Sequence, residues 1–186
     1  MNAGITSKET ILQECRRIVA SRGLSAVNMR SVAQECHIAL GTLYNYYANK
    51  DELLLAIVED IWKDIFHMNH GCTTDFSFPE YVEYIFECVQ KGVEDYPDFF
   101  TAHSVSIASS GKEKARSTMN HWFAHIKEGM SEVLQADKKV SADVFTTSFA
   151  QSEFIDFVLD NILLLLVQGK QSCEVLKEII QRSIYA

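Results

Sequence analysis

The sequence predicts an all-helical protein. Apolar residues recur at three- and four-residue intervals along most of the chain, which is the spacing of one face of an α-helix. The 186 residues include two prolines and eight glycines, too few for the many tight turns of a β-sandwich or barrel. With 47% apolar and 23% charged residues, the chain can bury a core, so a disordered protein is not expected.

Four helices are predicted in the first third of the chain. The first ends at Gly23, and its apolar face consists of Ile11, Leu12, Cys15, Ile18 and Val19. Asn28 is the expected N-cap of a short second helix. A third short helix covers Leu40 to Tyr47, and a longer fourth helix begins near Lys50.

Five further helices are predicted after a connection from Gly71 to Pro79, which would bring the total to about nine. They cover residues 80–95, 97–109, 112–135, 141–168 and 172–185. Pro79 suits a helix start, because the first turn makes no use of the N–H group that proline lacks. Pro97, Gly111 and Gly169 indicate breaks between these helices.

Charge is distributed unevenly along the chain. The net charge of −8, taken alone, disfavours a nucleic-acid partner. Residues 1–50, however, contain six basic and three acidic residues, a net +3, so the remaining residues carry −11. A basic head on an acidic body indicates that the head alone contacts a polyanion.

Two short helices joined by a tight turn within this basic head predict a helix-turn-helix at residues 28–50. Asn28 caps the first helix, and His37 lies in the turn. Leu43 and Tyr47 share a face and are expected in the core. The more outward side chains are those of Thr42, Tyr44, Asn45 and Tyr46. Their hydroxyl and amide groups can donate to phosphate oxygens or base edges.

The block from Gly23 to Leu54 resembles the tetracycline-repressor (TetR) family of transcriptional regulators. Its most specific part is the run Gly-Thr-Leu-Tyr-x-Tyr-aromatic-x-x-Lys-x-x-Leu, from Gly41 to Leu53. With the preceding helix, the resemblance covers about the first third of the chain. It implies an all-helical homodimer with a DNA-binding domain at residues 1–49 and a ligand-binding and dimerisation domain at residues 50–186.

The resemblance also assigns positions that contact DNA. Arg30 matches a base or phosphate contact, and Lys50 matches a phosphate contact at a helix start. Leu40 stands where a polar residue is commoner, so it either touches a thymine methyl group or packs on Leu43. His37 replaces the usual glycine, and His is among the residues that tolerate a positive φ. The expected DNA-binding set is Arg30, Leu40, Gly41, Thr42, Tyr44, Asn45, Tyr46 and Lys50.

Two sets of residues in the body are candidates for further binding. The set that would line an effector pocket is Phe99, Phe100, His103, His121, Trp122 and His125, with ordinary packing as the competing interpretation. The set that would form a four-helix dimer interface is Leu159, Ile162, Leu163, Leu166, Leu176 and Ile180. These six residues could equally pack within one chain; the resemblance favours the dimer.

No enzymatic motif, metal site or cofactor is predicted. Neither His67, His70 and Cys72 nor the pair His121 and His125 has an evident full set of zinc ligands. Nucleophile-elbow, zincin, P-loop and dinucleotide-binding motifs are absent from the sequence. Five cysteines without a C-x-x-C pair, no secretory leader and no apolar run of about 20 residues favour a cytoplasmic protein.

The sequence therefore predicts a cytoplasmic, dimeric, DNA-binding transcriptional regulator. We expect a repressor that an unidentified small-molecule effector releases from double-stranded operator DNA. Two alternatives remain open at this point. One is a helix-turn-helix dimer that organises DNA or recruits a protein without an effector. The other is a helical binding protein or enzyme whose head does not bind DNA.

Overall fold

The computed structural model describes residues 7–67, 76–96, 99 and 112–185, with the backbone alone at 67, 112–119 and 121. These residues form eight α-helices and no extended strand, which confirms the predicted fold class. The helices are α1 Lys8–Arg22, α2 Met29–Glu35, α3 Leu40–Tyr46, α4 Lys50–His67, α5 Phe78–Asp95, α6 Lys112–Ala136, α7 Gln151–Val167 and α8 Glu174–Ile184. Among the described helices, none is long and apolar enough to cross a membrane.

One helix boundary differs clearly from the prediction. The helix expected over residues 141–168 begins at Gln151 instead, so the prediction was wrong for residues 141–150. In that stretch the N–H group of Phe149 bonds to the carbonyl and hydroxyl oxygens of Thr146, at 3.3 and 3.2 Å. Such local side-chain bonds compete with helix formation. The helix predicted over 97–109 lies outside the described residues, apart from Phe99.

The chain forms two compact units, each with its own core. The first comprises residues 1–65 and 92–120, and the second comprises residues 66–91 and 121–186. Fully buried side chains of the first unit include Ile11, Cys15, Leu43, Leu53, Ile57, Ile61 and Trp62. Those of the second unit include Phe78, Phe86, Met130, Val158, Ile162, Ile180 and Ile184.

In the second unit, Asp137 ties the last helix to the start of α5. Its Oδ2 atom accepts hydrogen bonds from the Phe78 N–H group at 2.8 Å and from the Tyr185 hydroxyl at 2.5 Å. Burial acts to raise the pKa of Asp137, but these bonds and one from the Lys139 amide outweigh it and lower the pKa. The charged carboxylate is therefore the form that holds this junction together.

Candidate nucleic-acid interface

The start of α2 is fixed by a reciprocal pair of caps. The Asn28 Oδ1 atom accepts from the N–H groups of Arg30 and Ser31, at 3.1 and 2.9 Å. In return, the Ser31 Oγ atom accepts from the Asn28 N–H group at 3.1 Å. This confirms Asn28 as the N-cap. A cap of this kind stabilises a helix by about 1 kcal/mol, which matters for a helix of seven residues.

The turn between α2 and α3 depends on the left-handed conformation of His37, whose φ is 54°. Beyond it, the Ile38 N–H group donates to the Ala33 carbonyl oxygen at 3.0 Å. The His37 N–H group donates to the Gln34 carbonyl oxygen at 3.1 Å. These bonds close the C-terminal turn of α2 and direct the chain into α3. The predicted turn at His37 is confirmed, with histidine in the conformation that usually requires glycine.

The two faces of α3 differ as the sequence predicts. Leu43 and Tyr47 are buried in the core of the first unit. Tyr44 and Asn45 are exposed, and Leu40, Thr42 and Tyr46 are half-buried. Gly41 is exposed, and a Cβ atom built on it would meet nothing within 4 Å. An uninterrupted small and polar surface therefore covers the outer side of α3, while the half-burial of Leu40 is compatible with both of its proposed roles.

The positive charges of the head divide into paired and unpaired groups. Arg16, Arg17 and Arg22 form ion pairs with Asp60, Glu14 and Glu35 at 2.8, 2.7 and 2.6 Å, respectively. The Lys8 Nζ atom lies 5.5 Å from the centre of the Tyr47 ring. Arg30 and Lys50 are exposed and form no ion pair with any residue that the structure describes. Arg30 and Lys50, at the starts of α2 and α4, are therefore charges free to meet phosphates.

The start of α4 keeps Lys50 on the surface. The Asn49 Oδ1 atom accepts from the Glu52 N–H group, and the Glu52 carboxylate accepts from the Ala48 N–H group, both at 2.9 Å. This pair of caps fixes the chain between α3 and α4. The Lys50 side chain consequently projects from the first residue of a well-ordered helix.

Of the six predicted pocket residues, the structure describes the side chains of Phe99, Trp122 and His125. Phe99 is fully buried in the first unit, with its ring centre 6.0 Å from that of Trp62. In the second unit, Trp122 is half-buried and His125 is exposed, with ring centres 6.2 Å apart. Phe100, His103 and the His121 side chain lie outside the described residues. His125 lines an open groove of about 800 Å³ between α6 and α7.

The predicted dimer residues are mostly core residues of a single chain. Leu159, Ile162, Leu176 and Ile180 are at most 5% exposed, so they have almost no surface to offer a partner. Leu163 and Leu166 are half-buried. The exposed apolar side chains of α7 and α8, which we call the apolar face, are Phe157, Leu164, Val167, Val175 and Ile179, between 46% and 85% exposed.

Sequence reasoning missed the α7 part of the apolar face because the residues of α7 from Ile162 to Val167 are all apolar. A helix that is apolar all round gives no periodic signal that separates a core side from a partner side. The seven-residue spacing of Phe157 and Leu164 was an available indication, since residues seven apart share one side of a helix.

A metal site finds no support in the part of the chain that the structure describes. There, no group of three or more histidine, cysteine, aspartate or glutamate side chains is arranged to hold a metal ion. His70, Cys72 and the side chains of His67 and His121 lie outside the described set, so the sequence prediction stays untested for them.

Comparison with known proteins matches the head to one family and the fold to several structures. The model of the bacterial regulatory proteins of the tetR family matches residues 7–57. An uncharacterized HTH-type transcriptional regulator of Haemophilus influenzae is 44% identical over 46 residues, which are 25% of this chain and 25% of that protein. The chain thus matches a quarter of that relative's length.

Two solved structures are similar over nearly the whole chain. One is the multidrug binding protein EbrR complexed with ethidium, with a TM-score of 0.65 and 17% identity over 96% of this chain and 98% of that one. The other is a putative transcriptional regulator of the TetR family from Vibrio parahaemolyticus, with a TM-score of 0.58 and 14% identity over 97% and 100% of the two chains. At these identities the likeness shows a common fold.

Proposed function

We propose that the chain represses transcription as a dimer that binds operator DNA in the cytoplasm, because residues 7–57 match the tetR family of bacterial regulatory proteins. The observation that carries the proposal is the pairing of an open, polar α3 surface with two unpaired basic side chains, Arg30 and Lys50. Residues 1–49 would form the DNA-binding domain, and residues 50–186 the dimerisation and effector domain.

In this proposal α3 enters the major groove. Leu40, Gly41 and Thr42, at its N-terminal end, approach the base edges, and the absence of a side chain at Gly41 allows the backbone to come close. Tyr44, Asn45 and Tyr46 contact phosphates or bases, and Arg30 and Lys50 neutralise phosphates on either side. Two heads related by dimer symmetry would read half-sites about 34 Å apart, one turn of the double helix.

The dimer would form through the apolar face of α7 and α8. Packing this surface against its symmetry mate gives a four-helix arrangement and removes five large apolar side chains from water. A small molecule that binds the body would then favour a head spacing that no longer fits the operator. The complex of the similar protein EbrR with ethidium supports a search among aromatic effectors.

The proposal is tested with duplexes that the wild-type protein selects from a random-sequence pool. Replacing Arg30 by alanine should weaken binding by about 1–3 kcal/mol if Arg30 contacts a base. Replacing Lys50 by alanine should weaken binding equally for all duplexes. It should also make the slope of log K against log salt shallower by about 1, the effect of one lost phosphate contact.

The matched control for these variants is Arg17→Ala. Arg17 lies in the same head, but its charge is already paired with Glu14 at 2.7 Å, so its loss should change the affinity less than twofold. Fluorescence anisotropy titrations measure all three variants. Equal affinities for R30A, K50A and the wild type would contradict the placement of the DNA on α3.

A further inference from the structure

A part-buried polar cluster in the first unit joins α1 to α4, and we call it the Arg16 cluster. It comprises Arg16 of α1, Asp60 and Asp64 of α4, and Tyr96, which directly follows α5. The Arg16 Nη1 atom lies 2.8 Å from Asp60 Oδ2 and 3.7 Å from Asp64 Oδ1. The Tyr96 hydroxyl donates to Asp64 Oδ2 at 2.5 Å. Three segments distant in sequence therefore meet at two carboxylates.

The Arg16 cluster sets two carboxyl groups against one guanidinium group. Asp60 and Asp64 are one helical turn apart and repel each other, with a single guanidinium group to share. Burial raises the pKa of Asp60, and Arg16 acts in the opposite direction. Burial and the bond to Asp64 raise the pKa of Tyr96, so its phenol remains a donor. The Tyr96 hydroxyl thus supplies Asp64 with a hydrogen bond, and the guanidinium group lies closer to Asp60 than to Asp64.

Tight packing holds the segment after α5 against the same stretch of α4. The Tyr96 ring contacts Phe99, which in turn packs edge-on against Trp62 of α4. At Gly92 the backbone of α5 comes so close to α4 that an added Cβ would lie 2.7 Å from Ile65. Because packed interfaces of this kind shift between discrete arrangements rather than deform smoothly, a displacement of this segment must also move the Tyr96 hydroxyl.

The same helix that carries Arg16 also holds α2. The Arg22 side chain, one and a half turns further along α1, forms an ion pair with Glu35 of α2 at 2.6 Å. Cys15 and Ile11 of α1 are fully buried in the core of the unit. A change in the position of Arg16 is therefore passed along a rigid helix to the helix-turn-helix.

We propose that the Arg16 cluster is the coupling element that sets the position of the head on α4 and thereby the affinity for DNA. The proposal rests on the proposed function, of which it names the regulatory contact. Arg16 and Tyr96 act as positioning residues that do not touch DNA. When the Tyr96 bond to Asp64 is broken, Asp64 competes for the guanidinium, and α1 is drawn away from the arrangement that binds DNA.

The test replaces Tyr96 by phenylalanine, which keeps the ring and removes the donor. Y96F should weaken binding to the selected duplex by about 5- to 150-fold, the usual range of a coupling between sites. The salt slope should stay unchanged, because no phosphate contact is lost. The matched control is Tyr185→Phe, which removes an equivalent phenol-to-carboxylate bond in the second unit and should change the affinity less than twofold.

A rescue separates coupling from simple loss of structure. Adding Asp64→Asn to Y96F removes the charge that competes for Arg16, so the double variant should recover to within about threefold of the wild type, a non-additive result. A double variant as weak as Y96F, or a Y96F variant with wild-type affinity, would overturn the proposal. Hydrogen exchange gives a second measurement, in which Y96F but not Y185F should accelerate exchange of the α1 amides.

The two proposals fail in different ways. If the wild type selects no duplex, the proposed function fails, and hydrogen exchange still decides whether the Arg16 cluster holds the head. Unchanged exchange in Y96F would then overturn the coupling as well. If the wild type selects a duplex and Y96F binds it equally well, the coupling fails and the proposed function stands.

Discussion

Tyr47 places a hydroxyl group in the apolar core of the head. The residue is 3% exposed, and within the described part of the chain its Oη atom has no hydrogen-bond partner. Burial raises the pKa of this phenol to about 12. A buried hydroxyl without a partner has lost its bonds to water and gained none in return, which costs about 1–3 kcal/mol. The ring, in contrast, contributes to the core.

We therefore expect Tyr47→Phe to increase the free energy of unfolding by about 1 kcal/mol. The phenylalanine ring fills the same space and removes the unsatisfied oxygen. Urea unfolding measures the change, with Tyr44→Phe, at an exposed position of α3, as the control that should leave stability unaltered. A loss of stability in Y47F would mean that the hydroxyl group does have a partner.

Single residues also show where sequence reasoning ends. Asn28 and His37 were predictable because a cap and a turn depend on neighbours within a few residues. The distinction between Arg16, which is paired, and Arg30, which is free, was not predictable. It depends on Asp60, which lies 44 residues from Arg16 in sequence, so it becomes visible only when α1 and α4 are packed together.

At the scale of elements, two glycines in helices have opposite surroundings. Gly41 of α3 faces open space, whereas Gly92 of α5 lies against Ile65. Glycine in a helix is less stable than alanine by about 0.5–1 kcal/mol. At Gly92 the close approach of Ile65 of α4 explains why glycine is present despite its lower stability, since an added Cβ would lie 2.7 Å from Ile65. At Gly41 no residue that the structure describes accounts for the glycine, and in the proposed docking of α3 the DNA approaches this space.

The prediction is that Gly41→Ala separates stability from function. G41A should stabilise the free protein by about 0.5–1 kcal/mol and weaken binding to the selected duplex at least tenfold, because the methyl group occupies the space between α3 and the groove. Urea unfolding and anisotropy titrations measure the two effects. Gly92→Ala is the contrasting variant and should destabilise by about 1–3 kcal/mol through overpacking. Undiminished DNA binding by G41A would argue against the docking of α3.

Helices with a clear polar side were predicted well, and those without one were not. The start of α2 and the limits of α3 and α5 lie within two residues of the prediction, since caps and apolar spacing mark them. The start of α7 was missed because Thr146 and its neighbours form local bonds that no apolar pattern reveals. The exposed apolar side chains of α7 were missed because the residues from Ile162 to Val167 are all apolar, which gives no periodic signal.

At the scale of the whole molecule, the apolar face of α7 and α8 should control assembly. Leu164→Glu places a charge in the middle of a surface that a partner would cover, so the variant should sediment as a monomer. Val93→Glu, at an exposed apolar position of α5, is the control that should remain dimeric. Analytical ultracentrifugation distinguishes the two. A dimeric L164E variant would place the interface elsewhere.

Loss of the dimer should also reduce DNA binding, because a single head reads half of the operator. The net charge of −8 should make DNA binding depend more strongly on the dimer. An isolated chain carries more negative than positive charge, and the basic head must act in spite of the acidic body. Two heads on one duplex double the phosphate contacts without changing the chemistry of either head.

The central claim, that this acidic protein binds DNA through a basic head, is tested most directly by its salt dependence. The measurement is the affinity of the wild-type protein for its selected duplex at several salt concentrations. If Arg30 and Lys50 of two heads each meet a phosphate, log K against log salt should fall with a slope of about −3.6 or steeper. A slope near zero, or no binding at low salt, would contradict the account.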